Sequence, residues 1–194
     1  MLEIKDSLPE DFADTAVVIG KFRSIHLGHQ QLIHQLIEAS EEAGLSALVL
    51  TFDRHPNSVL KPENVPPAVI GEVHKKRLLE GLGVDVLKVI AFDEELASLT
   101  PEQFVVRHLL PLRARIVLVG KGFKFGSGGA GNIQTLRELG IRFGFQTREV
   151  ENVEANGIKI STTAIRKLLD EGKVEVDNIL LGRNHATEGL VEHG

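Results

Sequence analysis

The sequence predicts an α/β fold: a parallel, doubly wound sheet of five strands with a small β-hairpin added near the end. Three observations predict it. Short apolar runs alternate with amphipathic stretches along most of the chain, the pattern of buried parallel strands with covering helices. A glycine and histidine cluster, Gly20 to His29, follows directly on the first of these runs, at a strand-to-helix handover. The composition, with 42% hydrophobic and 25% charged residues over 194 positions, fits one soluble globular domain with a well-buried core.

The elements follow in order. Thr15 to Ile19 reads as a buried strand, Leu27 to Ala43 as an amphipathic helix and Ala47 to Phe52 as the next strand, which together make one βαβ unit. Asn57 to Pro67, with three prolines and two asparagines, reads as a loop. The alternation resumes with a helix over Glu72 to Leu82, a strand over Val84 to Ala91, a helix over Pro101 to Pro111 and a strand over Ile116 to Val119. A helix over Ile133 to Leu139 and a strand over Phe143 to Val150 complete the sheet. From Glu151 to Ile160 the pattern changes to strict alternation around Asn156-Gly157, which predicts a hairpin. A helix capped by Ser161-Thr162-Thr163 runs toward Gly172, and Val174 to Leu181 forms one more.

Composition also excludes function classes. A net charge of −5 argues against a partner among nucleic acids or anionic membranes and leaves room for a local basic pocket. With no cysteine, disulfides, thiolate metal sites and cysteine nucleophiles are excluded. The acidic opening Met1 to Asp6 lacks the apolar core of a signal peptide, and no 18-residue apolar stretch follows, so a cytoplasmic location without membrane contact is expected.

The strongest chemical signal is Gly20-x-Phe22-x-x-x-His26-x-Gly28-His29. Gly20 lets the chain turn sharply, and Gly28 lets a phosphate approach the free N–H groups at the helix start. His26 and His29 can donate to phosphoryl oxygens in a transition state. The competing explanation is two incidental surface histidines. A second element, Ser161 to Thr163 with Arg166 one turn on, combines hydroxyls, helix dipole and a guanidinium into an anion clamp; alone it reads more readily as an ordinary helix cap with a solvated arginine, and the histidine motif on the same chain reverses that preference. Thr51 to Pro56 and the glycine-rich stretch from Gly120 to Gly131 follow further strands, where substrate is met in such folds, but the latter lacks a P-loop ending. His34, His74, His108, His185 and His193 show no metal-ligand spacing.

His26-Leu27-Gly28-His29 matches the H-x-G-H signature of nucleotidylyltransferases. Taken with Thr51-Phe52-Asp53, His55-Pro56, Gly83-Val84-Asp85, Leu99 to Val105, Val119-Gly120, Phe123 to Gly126, Ile160 to Arg166 and Leu181-Gly182-Arg183, it resembles the FMN adenylyltransferase module of the prokaryotic FAD synthetase family. The resemblance covers nearly the whole chain and implies a Rossmann-like nucleotidylyltransferase domain over residues 1–182. It implies adenylyl transfer from ATP to FMN with Mg²⁺ assisting, and small-molecule nucleotide and flavin partners. His26, His29 and Arg166 would be catalytic; Gly20, Phe22, Gly28, Gly120, Ser161, Thr162 and Thr163 would join them around the nucleotide. Phe52, His55, Phe123 and Phe125 would lie on the flavin side. No metal ligand is assigned. Residues 183–194 resemble a linker and the opening of a riboflavin kinase domain, and the rest of such a domain is not in this sequence.

The departures from the family pattern are Arg23 and Ser24 where Asp-Gly is usual, Arg54 for a proline, Gly122 for Asp or Asn, Gly129 for an arginine, Lys159 for an arginine, and Asn184-His185 for Pro-Tyr. They keep two alternatives open, a nucleotide- or flavin-binding protein without catalysis and a nucleotidylyltransferase with another phosphate acceptor.

Overall fold

The computed structural model describes residues 1–187 except 152, 156 and 157. Its centre is a parallel sheet of six strands: β1 (Leu2–Ile4), β2 (Thr15–Ile19), β3 (Ser46–Phe52), β4 (Val86–Ile90), β5 (Ala114–Gly120) and β6 (Gln146–Val150), in the order β1-β4-β3-β2-β5-β6. The expected five strands are therefore six. The extra one, Leu2-Glu3-Ile4, is three residues long at a sheet edge with only Ile4 buried, so it carries none of the continuous apolar signal of the inner strands. β2, with all five residues buried, sits between β3 and β5.

Helices cover both faces. On one, α1 (Leu27–Ala43), α3 (Glu72–Gly81), α7 (Thr162–Asp170) and α8 (Val174–Leu181) bury Ile33, Leu36, Leu79, Ile165 and Leu181 against Ala16, Val18 and Val49. On the other, α4 (Glu94–Ser98), α5 (Pro101–Phe104) and α6 (Ile133–Phe143) bury Leu96, Phe104 and Leu136 against Val17, Ile19 and Leu48. Alternate residues of β2 thus serve opposite cores, as the two-residue period of a strand requires. A fully buried leucine or isoleucine at such a position is worth about 1.5–3 kcal/mol in transfer from water.

The helix expected over Pro101 to Pro111 is broken into α5, a π-helical turn at Val105–Leu109 and a 3₁₀ turn at Leu110–Leu112. Pro111 has no N–H to continue an α-helical ladder. α6 extends to Phe143 and is stopped by Gly144 in the left-handed conformation, so Phe143 to Phe145 belong to the helix end and turn, not to β6. The Asn57 to Pro67 loop contains a short helix, α2 (Asn57–Leu60), and a 3₁₀ turn. A two-stranded hairpin, β7 (Glu154–Ala155) with β8 (Ile158–Lys159), stands where expected; its Asn156-Gly157 turn lies outside the described residues.

From β2 the chain crosses to β3 on one side and later reaches β5 on the other. The strand order reverses there, and the carboxyl ends of β2, β3 and β5 open into the crevice where α/β sheets bind ligands.

Candidate active site

The turn from β2 into α1 is under backbone strain. Phe22 and Ile25 take φ of 45° and 44°, a region that bulky L-residues rarely occupy, and Ile25 is β-branched. Both side chains are almost fully buried, so core packing holds the turn in this shape. The turn is tight at its glycines. A Cβ on Gly20 would lie 2.7 Å from the Phe22 ring, and one on Gly28 would lie 3.1 Å from the His26 ring.

His26 caps α1: its Nδ1 accepts a hydrogen bond from the His29 N–H at 3.2 Å. With Nδ1 an acceptor, the ring proton resides on Nε2, which is left to donate. His29 stacks on His26 at 3.8 Å between ring centres with 12° between planes, and Phe22 backs it at 5.2 Å. Its Nδ1 is buried with no partner among the described residues. Burial, opposed by a backbone hydrogen bond and reinforced by Arg183, pushes His26 down to about 4; burial, then His26 and Arg183, pushes His29 well below the ordinary histidine value. At neutral pH the pair is therefore two uncharged imidazoles, N–H donors in a partly dry site.

The serine-threonine element comes to the same place. Ser161 caps α7 by accepting from the Ala164 N–H at 3.2 Å, and the Thr162 hydroxyl lies 3.0 Å from that of Ser24. A contact between residues 138 positions apart thus joins the two motifs. Arg166, one turn on, donates from Nε to the Pro67 carbonyl at 2.9 Å, which fixes the guanidinium and leaves both Nη groups for a ligand. Arg23 donates from Nη2 to the neighbouring Pro66 carbonyl at 3.3 Å.

Lys21, Arg23, Arg166 and His55 share one field. Lys21, exposed at the crevice rim, is lowered by partial desolvation and then by Arg23 and Arg166; Arg166 is lowered by burial and then by Arg23. His55 is pushed down to about 4 by burial, then by Lys21, Arg23 and Arg166. Its Nδ1 accepts from the Asn57 N–H at 3.1 Å, leaving Nε2 as a donor. His55 therefore stands within the field of the phosphate-side cations. Asp53 is committed elsewhere: burial would raise its carboxyl, but bonds from Arg54 and the Phe92 N–H outweigh this and hold it lowered.

The aromatic residues occupy the other face of the sheet. Phe52 packs edge-on against Phe92 at 5.8 Å, and Phe125 meets Phe123 at 5.5 Å and Phe104 at 5.7 Å. Phe104 and Phe125 are buried within the second core, and Phe52, Phe92 and Phe123 pack against it at the carboxyl ends of β3, β4 and β5. Gly120 ends β5 and accepts from the Phe123 N–H, which turns the aromatic loop back toward the crevice. A separate cavity of about 400 Å³ beside β1 and β4, lined by Lys88, Ile90, Leu99 and His108, contains none of the predicted site residues.

Arg183 belongs to the Leu181-Gly182-Arg183 match but carried no expected role, and the structure makes it a site residue. Its Nη groups donate to the carbonyls of Ser24 and Ile25, each at 2.6 Å, and it holds the strained turn from behind. Gln30 supports the same Ile25 carbonyl and the Leu181 carbonyl. The available signal was an arginine directly after the helix-ending Gly182, within reach of backbone carbonyls left free at a helix end.

The expected Mg²⁺ does not fit side-chain ligation here. Among the described residues no group of three or more His, Asp or Glu side chains converges, and the charged groups around the crevice are mainly cations. Among the described residues no helix is long and apolar enough to cross a membrane.

Comparison with known proteins agrees with this architecture. A family model for FAD synthetase matches residues 8–164. The bifunctional riboflavin kinase/FMN adenylyltransferase of Bacillus subtilis is 35% identical over 189 residues, covering 96% of this chain and 59% of that protein. Its counterpart from Buchnera aphidicola of Schizaphis graminum is 34% identical, covering 94% of this chain and 59% of that protein. The chain thus spans about six tenths of the length of these relatives. A solved structure named as a macrolide-efflux protein from Streptococcus pneumoniae superimposes with a TM-score of 0.88 at 29% identity, over 100% of this chain and 64% of that one. Pantoate-beta-alanine ligase from Francisella tularensis shares the fold at a TM-score of 0.57 and 16% identity, over 92% of this chain and 77% of that one. With the fold, the histidine turn and the serine-threonine helix in place, the chain belongs to the FAD synthetase family.

Proposed function

We propose that the chain transfers the adenylyl group of ATP to FMN, giving FAD and pyrophosphate. A phosphate oxygen of FMN attacks the α-phosphorus, the bond to the β-bridging oxygen breaks, and pyrophosphate leaves with that electron pair. No covalent enzyme intermediate is needed, so catalysis consists of positioning and charge stabilisation. The observation that carries the proposal is the meeting of an uncharged, stacked histidine pair with Arg166 and Ser161 to Thr163 across the Ser24–Thr162 contact. His26 Nε2 and His29 donate to the α-phosphate as charge builds on its oxygens; Arg166 takes the leaving pyrophosphate. Gly20, Phe22 and Gly28 shape the turn that admits the nucleotide, and Gly120 with the Phe52, Phe123 and Phe125 rings borders the flavin. His55, between the two, faces the phosphates that both substrates bring.

Incubation with ATP and FMN, followed by chromatography, tests the reading. Equal amounts of FAD and pyrophosphate are expected, with His29→Ala slower by about 10²-fold or more, the size of losing a transition-state donor. Pyrophosphate release only with another phosphate acceptor would replace FMN by that acceptor. ATP binding without any release would make the chain a binding protein.

A further inference from the structure

Arg23 is an arginine where the family pattern has an aspartate, and the structure gives it a built position. Its guanidinium and that of Arg166 are tethered to consecutive carbonyls, Pro66 and Pro67, and the Arg23 carbonyl accepts from the Val69 N–H at 3.2 Å. One loop therefore fixes two guanidiniums side by side, with Lys21 close enough to feel both. Like charges are held together only where something compensates them. The nearby acids do so in part: Glu72 acts on Arg23 but is itself paired with the buried Lys75 at 2.7 Å, and Asp170 acts on Arg166. The Arg23 Nε is buried and has no partner among the described residues. Among the described residues no carboxylate set is placed to hold a divalent ion.

We propose that Lys21, Arg23 and Arg166 do at this site what a divalent cation does for a nucleotide: they bind the polyphosphate of the substrate and the pyrophosphate product as metal-free anions. Two tethered guanidiniums and the Lys21 ammonium match the roughly three negative charges of free pyrophosphate near neutral pH, and planar guanidiniums match phosphate oxygens two at a time. The inference rests on the adenylyl-transfer reading for its ligand class, but binding of pyrophosphate requires no turnover and is measured apart from it.

The test is calorimetric titration of the full chain with inorganic pyrophosphate, once in EDTA and once with excess Mg²⁺, for the wild type, Arg23→Ser and Lys21→Gln. The expected result is binding in EDTA at least as tight as with Mg²⁺, weakening as salt is added, and tenfold or more weaker in Arg23→Ser. Lys21→Gln, at an exposed position, keeps the test valid if Arg23→Ser does not fold, and a several-fold loss is expected there. Pyrophosphate binding that needs Mg²⁺, or metal-free binding unchanged in the variants, overturns the proposal. Metal-free binding in a protein that forms no FAD would leave this proposal standing and remove the adenylyl-transfer reading instead.

Discussion

Acidification should destabilise the protein through His26. The ring is 7% exposed, accepts a backbone hydrogen bond only when Nδ1 is unprotonated, and is held at about 4 against an ordinary 6.5. Between these values the unfolded chain binds a proton that the folded chain refuses, so stability rises with pH across that window and is lost as pH falls. At pH 4.5 the unfolded ring is favoured by protonation about 100-fold and the folded ring hardly at all, which amounts to roughly 2.5 kcal/mol lost relative to pH 7. His26→Asn isolates the effect, because asparagine caps a helix without titrating. Urea unfolding of both proteins at pH 7 and pH 4.5 should show the wild type losing roughly 2.5 kcal/mol more than the variant. Equal losses in the two proteins, or a His26 titration midpoint near 6.5 by NMR, would refute the argument that burial and the cap keep this ring neutral.

Other outcomes follow from single contacts. Arg183→Met removes the donors to Ser24 and Ile25 at the strained turn and should cost about 2 kcal/mol in thermal or urea unfolding, with kcat falling more than KM rises. Gly28→Ala places a methyl 3.1 Å from the His26 ring and should slow FAD formation about tenfold or more while stability changes by under about 1 kcal/mol, seen by kinetics beside a melting curve. Phe123→Ala loses the ring stacked on Phe125 and should raise KM for FMN several-fold with KM for ATP unchanged, measured by varying each substrate in turn.

The inner strand Thr15 to Ile19 was legible in the sequence because it is buried on both faces, and the helix Leu27 to Ala43 because its apolar residues recur on one face; both have the expected bounds. β1 was not, because its stability comes from pairing with β4 and not from its own three residues. The site separates in the same way. His26, Gly28, His29 and the serine-threonine helix are local motifs and can be read in a line of sequence. The Pro66–Pro67 carbonyls under two guanidiniums and Arg183 behind the Ser24 turn are contacts over 43 to 159 positions, and no local pattern encodes them. The charge reversal at Arg23 was visible in the sequence; the neighbours that give it meaning were not.

The most direct test of the central claim follows the phosphorus atoms. ATP labelled at the α-phosphorus, mixed with FMN and the protein, should pass its label into FAD, while label at the γ-phosphorus should appear only in pyrophosphate. Label from the γ-position on the flavin, or α-label released as AMP with none in FAD, would contradict attack by FMN on the α-phosphorus.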